Sequence, residues 1–200
     1  MELEQVTYQG PSIDDVPMLR RLPHALAALV GQIDGFIQFG GGLHVRGACK
    51  APDWHSLRTV LEGPLALHSL YPAVLESDVP FAQDCVGDQF LLRGQSVLEL
   101  SAETGELTHK ADSFKSFLQN VQDDPIEYLS MAPLLEFSKS GGVLTPGRLL
   151  HAYPPYCMET ETPVSLRDVP ALELLRVHAE LAKEIRDWPD GASIEISVTE

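Results

Sequence analysis

Apolar residues recur at helical spacing just after a polar start to the chain. Residues 22–35 form an apolar stripe, in which Pro23 suits a first helical position and Gly35 suits the left-handed conformation that ends a helix. The stripe consists of Leu26, Leu29, Val30 and Ile33. This pattern predicts one amphipathic helix. Residues 1–21 are polar and contain turn formers, so we expect little regular structure there and a fold that begins near Leu22.

Five further segments have the spacing or the capping residues of helices. Residues 54–61 carry an apolar stripe, and residues 114–121 carry a stronger one after Asp112 or Ser113 as the N-cap. A short helix should begin at Asp124 and Pro125, and the next should end at the glycine pair 141–142. The last predicted helix has its apolar side formed by Leu172, Leu175, Ala179, Ala182 and Ile185.

Between residues 81 and 109 the period changes from helical to alternating. Four short β-prone runs are separated by turn residues, which predicts a β-meander with three turns. Asp84 and Gly87 hold the first and fourth positions of a type I turn, Gly94 begins a two-residue hairpin loop, and Gly105 suits a left-handed position. Alternation directs the side chains of Phe90 and Leu92 toward the core, and predicts a half-buried antiparallel sheet.

The remaining segments complete the predicted architecture. Residues 36–47 indicate a strand pair or a strand edge around a glycine triplet, and residues 63–79 indicate a connector because Pro64 and Pro72 interrupt them. The alternating run at 194–198 predicts a final strand. We therefore expect one α+β domain over residues 1–200, with a central antiparallel or mixed sheet flanked by several helices.

Composition narrows the classes of partner. The chain has 14 Lys and Arg against 29 Asp and Glu, and a net charge of −15. Such a chain repels phosphate backbones, so we expect no nucleic-acid partner, whereas a basic protein would be attracted; acidity also serves solubility alone. No apolar run is long enough for a membrane span, no secretory signal is visible, and three scattered cysteines fit reduced thiols. We therefore expect a cytoplasmic protein.

Short motifs for metals, phosphates and nucleophiles are missing or incomplete. The chain has no H-x-x-x-H and no C-x-x-C, so neither a metal site nor a cofactor is predicted. The glycine spacing at 142–149 resembles a P-loop, but Arg148 and Leu149 replace the phosphate-binding and magnesium-binding residues. His178 and Glu180 open a zinc-deaminase signature that nothing completes.

The acidic residues of the meander allow two interpretations. Asp84, Asp88, Glu103 and Glu106 could form an acid/base pair or bind a hard cation, but turn chemistry explains them more economically. The neighbouring carboxylates favour an inert Cys85 thiol. Tyr153 and Tyr156 fit a partner site and a proline-stiffened loop equally well.

Three segments together resemble the SUKH superfamily, which includes bacterial immunity proteins and a yeast regulator of cell-wall assembly. They are an early Leu-Pro helix ending near a glycine, an F-x-x-D-x-x-G-D-x-F turn followed by a hairpin, and a helix containing S-F-x-x-F-L. The matching residues are Leu22, Pro23, Gly35, Phe81, Asp84, Gly87, Asp88, Phe90, Ser113, Phe114, Phe117 and Leu118. The match covers residues 22–123, and residues 124–200 form an extension outside it.

The resemblance implies an α+β fold, no catalytic residues, and a role in binding proteins. Bacterial members look like antitoxins that neutralise a cognate polymorphic or contact-delivered toxin. For this acidic chain, a toxin of basic charge would suit that role. Alternatives are an intracellular scaffold or regulator that binds several host proteins, and, more remotely, an unrecognised hydrolase. The predicted partner-binding residues are Asp88, Glu99, Glu103, Glu106, Tyr153 and Tyr156.

Overall fold

A computed structural model describes residues 4–189 of the 200-residue chain. This part has an α+β fold with a seven-stranded antiparallel sheet in chain order and a separate two-stranded antiparallel sheet. The strands of the large sheet are β1 (Val6–Gln9), β2 (Phe36–Gln38), β3 (Leu43–Val45), β4 (Val79–Asp84), β5 (Gln89–Arg93), β6 (Ser96–Leu100) and β7 (Leu107–Ala111), and those of the small sheet are β8 (Arg148–Tyr153) and β9 (Ser165–Pro170). The helices are α1 (Val16–Leu19), α2 (His24–Gln32), α3 (Leu57–Leu61), α4 (Leu67–Leu70), α5 (Phe114–Asp123), α6 (Pro125–Tyr128), α7 (Ala132–Lys139) and α8 (Ala171–Ile185).

The first 21 residues are more structured than their composition indicates. Strand β1 extends the sheet by pairing with β2, and Asp15 caps α1. Asp15 is buried and receives hydrogen bonds from Nε and Nη2 of Arg58 at 2.6 and 2.9 Å. The prediction of an irregular lead-in is therefore wrong, because these residues gain their order from partners more than 25 positions away, which a local pattern does not reveal.

The predicted helices are present. Pro23 takes the N-cap position of α2, one residue before the first helical position predicted for it. Ser113 caps α5 as expected, by accepting a hydrogen bond from the backbone N–H of Ser116 at 3.0 Å. Asp124 caps α6 in the same way. The stripe at 54–61 yields only the short helix α3, and the connector at 63–79 contains a 3₁₀ turn and α4.

The β-meander is confirmed as strands β4 to β7. Gly94 and Gln95 form the two-residue loop between β5 and β6, since Arg93 and Ser96 are paired directly before and after it. The predicted strand pair around the glycine triplet is β2 and β3, which lie inside the sheet between β1 and β4.

Both faces of the meander are covered, so the prediction of a half-buried sheet is wrong. One face packs on α2 and α5 through Phe90, Phe117 and other apolar side chains. The other face, which carries Leu91 and Leu100, packs on α4 and on α8. The alternation of apolar and polar residues along β5 correctly identified the first face as buried. The second face carries the polar residues Gln89 and Arg93, so the sequence did not indicate that it is buried too.

Helix α8 covers the second face of the sheet together with α4. Strand β8 is attached to the end of β4 by a hydrogen bond from the backbone N–H of Leu150 to the carbonyl of Cys85 at 2.8 Å. Helix α8 packs on β8 and β9 and reaches the β4–β5 turn. The strand predicted at 194–198 lies outside the described residues. Between residues 4 and 189, no helix has the length and apolar character required to cross a bilayer.

Candidate functional site

A cavity of about 240 Å³ lies where the β4–β5 and β6–β7 turns meet α8 and the loop after β8. We call it the acidic pocket. Its polar lining includes Asp88, Glu103, Thr104, Tyr156, Cys157 and His178. Three of the predicted partner-binding residues, Asp88, Glu103 and Tyr156, are therefore brought together in one site.

The β4–β5 turn forms one wall of the pocket, and Asp84 holds it in place. Oδ1 of Asp84 accepts hydrogen bonds from the backbone N–H groups of Val86, Gly87 and Asp88 at 2.9, 2.8 and 3.0 Å. Gly87 has a φ of 102°, a conformation that side chains disfavour, so the turn requires glycine here. Burial and the charge of Asp88 raise the pKa of Asp84. The structural role predicted for Asp84 is confirmed by these contacts.

Ala102 links the two turns that border the pocket. Its backbone N–H donates to Oδ1 of Asp88 at 2.7 Å, and its carbonyl accepts from the buried Tyr71 hydroxyl at 3.0 Å. With both backbone groups of Ala102 bonded, the next residue, Glu103, is held at a fixed place on the pocket wall. Glu103 is 8% exposed, and its Oε2 accepts from the backbone N–H of Cys157 at 2.8 Å.

His178 projects from α8 to the base of the pocket and is 3% exposed. Neither ring nitrogen has a hydrogen-bond partner among the residues that the structure describes. Nδ1 lies against Gly87, where a β-carbon would be 3.5 Å away, and Nε2 lies 4.0 Å from Oε1 of Glu103, beyond hydrogen-bond range. Burial, with a contribution from His151, lowers the pKa of His178 to about 4, so the ring is neutral at pH 7 and keeps one donor and one acceptor unused.

The carboxylates give the pocket an excess of negative charge. Burial raises the pKa of Asp88 to about 6, and Glu99 and Glu103 add to this increase while Lys110 opposes it. An acid with a raised pKa is held in its charged form at pH 7 at the expense of stability. A bound cation would offset that energetic penalty, so the pocket is electrostatically suited to a positively charged group.

The neighbouring thiol is poorly suited to nucleophilic chemistry. Burial and Glu103 raise the pKa of Cys157 to about 11, which keeps the thiol protonated at pH 7, whereas a nucleophilic cysteine needs a lowered pKa. Within residues 4–189 no group of three or more histidine, cysteine, aspartate or glutamate side chains is arranged to hold a metal ion.

The other predicted partner-binding residues lie outside the pocket. Glu99 forms an ion pair with Lys110 at 2.9 Å, and Glu106 is exposed on the β6–β7 turn. Tyr153 is exposed at the end of β8. Asp88 and Glu103 turn inward, because the turn backbone uses one oxygen of Asp88 and the loop backbone uses one oxygen of Glu103.

A second polar cluster, which the sequence reasoning did not identify, lies in the same sheet. We call it the buried network; it consists of His44, Arg46, His55, Gln83 and Gln89, all buried. The guanidinium of Arg46 donates to the side-chain oxygens of Gln83 and Gln89 and to the carbonyl of Pro80. Burial lowers the pKa of Arg46 to about 9. The signal in the sequence was the alternation of polar residues in L-H-V-R-G, which places His44 and Arg46 on one side of a short strand.

The hydrogen bonds of the buried network define one set of proton positions. The amide of Gln83 donates to Nδ1 of His44 at 3.2 Å, Nε2 of His44 donates to Nδ1 of His55 at 2.8 Å, and Nε2 of His55 donates to the carbonyl of Asp34 at 2.7 Å. This assignment follows from the carbonyl at the end of the chain, which can only accept. None of the five side chains leaves a buried nitrogen or oxygen without a partner.

A cavity of about 260 Å³ borders this network and is lined by His44, Gln83 and the loop 143–149. Among its polar lining residues, Gln83 donates to His44, and Arg148 is bonded to Asp168.

No protein-family model matches the chain, and a search of curated proteins finds no match.

Proposed function

We propose that this chain is a non-enzymatic protein-binding domain that neutralises a cognate bacterial polymorphic or contact-delivered toxin by direct binding in the cytoplasm. The observation that most supports the proposal is the acidic pocket, with two carboxylates and an unpartnered histidine in a cavity of about 240 Å³. Buried polar groups are normally bonded, so unsatisfied groups in a cavity indicate a place that another molecule completes. The SUKH resemblance supplies the class of partner.

Charge and exposed aromatic rings support binding to a protein. The net charge of −15 attracts a basic partner and speeds the encounter, because opposite fields steer association. Tyr156, 46% exposed, lines the pocket, and Tyr153, 41% exposed, lies three residues earlier. Tyrosines supply large contact areas at low entropic cost, which suits the centre of an interface.

The experiment that tests this function is co-expression with the protein encoded by the neighbouring gene, tested as the candidate toxin. We expect cells to survive the toxin and the two proteins to co-purify in a salt-sensitive complex, with association slowing at least tenfold between 50 and 500 mM salt. Absence of protection, or protection without co-purification, would refute direct neutralisation. Stable complexes with many host proteins and none with the toxin would instead favour the scaffold alternative.

A further inference from the structure

We infer that the acidic pocket binds the guanidinium group of an arginine side chain carried by the partner protein. This inference rests on the proposed function and names the chemical group that the site would receive.

The first observation behind it is the set of acceptors and charges on the pocket wall. Oδ1 of Asp88 and Oε2 of Glu103 each accept one backbone N–H, and the Cys157 side chain also forms a hydrogen bond to Glu103. Both carboxylates line the cavity together with the ring of His178, so acceptors from three elements border one space. A cation rich in donors would balance the two charges and bond to groups on all three elements.

The second observation is independent of the acids and concerns His178 alone. Its two buried nitrogens have no hydrogen-bond partner within residues 4–189, and buried groups that stay unsatisfied lower the stability of the free protein. A neutral imidazole can accept a hydrogen bond from a cation without electrostatic repulsion. The cluster is therefore more than a group of acidic residues, since a buried polar side chain also faces the cavity.

The shape of the lining favours guanidinium over ammonium. A guanidinium has five N–H donors in one plane, so it can reach acceptors on several sides, whereas an ammonium is a compact charge with three donors. Tyr156 adds an aromatic ring to the lining, and arginine stacks on such rings more often than lysine does. A metal ion is a poorer fit, because no described residues form a three-ligand cluster.

Titration of the full 200-residue chain with capped arginine, Nα-acetyl-L-arginine amide, tests the inference. The readout is the NMR shift of the imidazole resonances of His178 in histidine-labelled protein. We expect saturable shifts with millimolar affinity, at least threefold weaker binding of the matching lysine derivative, and no shift with the neutral citrulline derivative. Unchanged His178 resonances, or equal binding of citrulline, would overturn the inference; equal binding of lysine would overturn the guanidinium preference.

Matched variants locate the binding. Asp88→Asn and Glu103→Gln keep an oxygen for Ala102 and Cys157 but remove a charge, and each should weaken arginine binding about tenfold. Glu106→Gln makes the same charge change on the same turn outside the cavity and should alter binding less than twofold. Equal effects from all three variants would indicate long-range attraction only and would contradict a specific site.

Two further measurements distinguish free arginine from an arginine side chain of the partner, and failure of the pocket inference from failure of the proposed function. If free L-arginine binds more than tenfold tighter than the capped derivative, the occupant is a small metabolite and the inference about a partner's side chain is wrong. If the toxin complex forms equally well with the wild type and with the Asp88→Asn, Glu103→Gln double variant, the pocket inference fails while the proposed function stands. If no toxin complex forms but capped arginine binds, the proposed function fails.

Discussion

The buried network and the acidic pocket are both polar clusters inside the fold, yet they differ in how completely their groups are bonded. In the network, the buried guanidinium of Arg46 is bonded to neutral groups. It donates hydrogen bonds to two glutamine side chains and to a backbone carbonyl. In the pocket, carboxylates are abundant, but His178 has no hydrogen-bond partner in the described part of the chain and Asp88 has a raised pKa.

The difference shows what each cluster contributes. A fully bonded network fixes one arrangement of three strands, because moving any strand would leave a buried charge or ring nitrogen unsatisfied. The pocket lowers stability in the free protein, and a cost of that kind is typical of a site that becomes complete only on binding. The number of charged residues does not distinguish a structural cluster from a binding site. The hydrogen bonding of the individual buried atoms does.

The largest effect should come from removing a central member of the network. Gln83→Leu deletes one of the three acceptors of Arg46 and the donor to His44, so we expect the free energy of unfolding to fall by about 3 to 5 kcal/mol. Urea denaturation at pH 7 measures it. Gln119→Leu on the exposed side of α5 is the matched control and should change stability by less than about 0.5 kcal/mol. A loss below 1 kcal/mol for Gln83→Leu would show that the network does not hold the strands.

The sequence predicts the meander and most helices because these depend on local signals. Ser113 and Asp124 cap helices, and Gly94 sets the length of a hairpin loop; these residues act within a few positions of where they stand. The order β4 to β7 then follows from short connections. Strand β1 was missed because its pairing with β2 spans about thirty residues.

The candidate site was only partly predictable for the same reason. Asp88, Glu103 and Tyr156 were selected from the sequence, but their convergence depends on α8 lying across the turns. His178 was noticed only within an incomplete zinc signature, since nothing local indicates that its ring is buried without a partner. Arg46 and Gln83 are far apart in the chain, and only the pairing of β3 with β4 joins them.

A smaller loss is expected from the turn that frames the pocket. Asp84→Ala removes the acceptor for three backbone N–H groups, so we expect unfolding free energy to fall by about 2 to 3 kcal/mol. Asp84→Asn keeps an acceptor oxygen and should lose less than about 1 kcal/mol. Calorimetry of both variants checks this; equal losses would mean that the charge, and not the hydrogen bonds, holds the turn.

Removing a charge from the pocket should stabilise the protein. The folded-state pKa of Asp88 is about 6, above the unfolded value near 4, so the folded form binds protons more readily and the wild type gains stability as pH falls from 7 to 4. Asp88→Asn should be about 1 to 3 kcal/mol more stable at pH 7.5, and this gain should shrink to below about 0.5 kcal/mol at pH 4.

The test uses the difference in unfolding free energy between the Asp88→Asn variant and the wild type at each pH, because other groups in the protein also titrate. Burial also raises the pKa of Asp34 to about 6, and Asp84, Glu99, Glu103 and Lys110 act on Asp88 through their charges. Denaturation of both proteins across this pH range gives that difference, in which the contributions of the other titrating groups cancel. Asp53→Asn on an exposed loop should show no gain at any pH. A gain for Asp88→Asn that does not change with pH would show that burial of the charge is not its source.

The smallest effect is expected at His178, and it compares the two clusters directly. His178→Leu removes two unpartnered buried nitrogens, so stability should stay the same or rise by about 1 kcal/mol, while binding of capped arginine should be lost. The same change at His55 removes a bonded ring from the network, leaves Nε2 of His44 without its acceptor, and should cost about 2 to 4 kcal/mol. Urea denaturation of the two variants gives the contrast. Equal losses would mean that both histidines serve packing alone. A stable His178→Leu protein that no longer binds arginine would separate the group that serves binding from the groups that serve the fold.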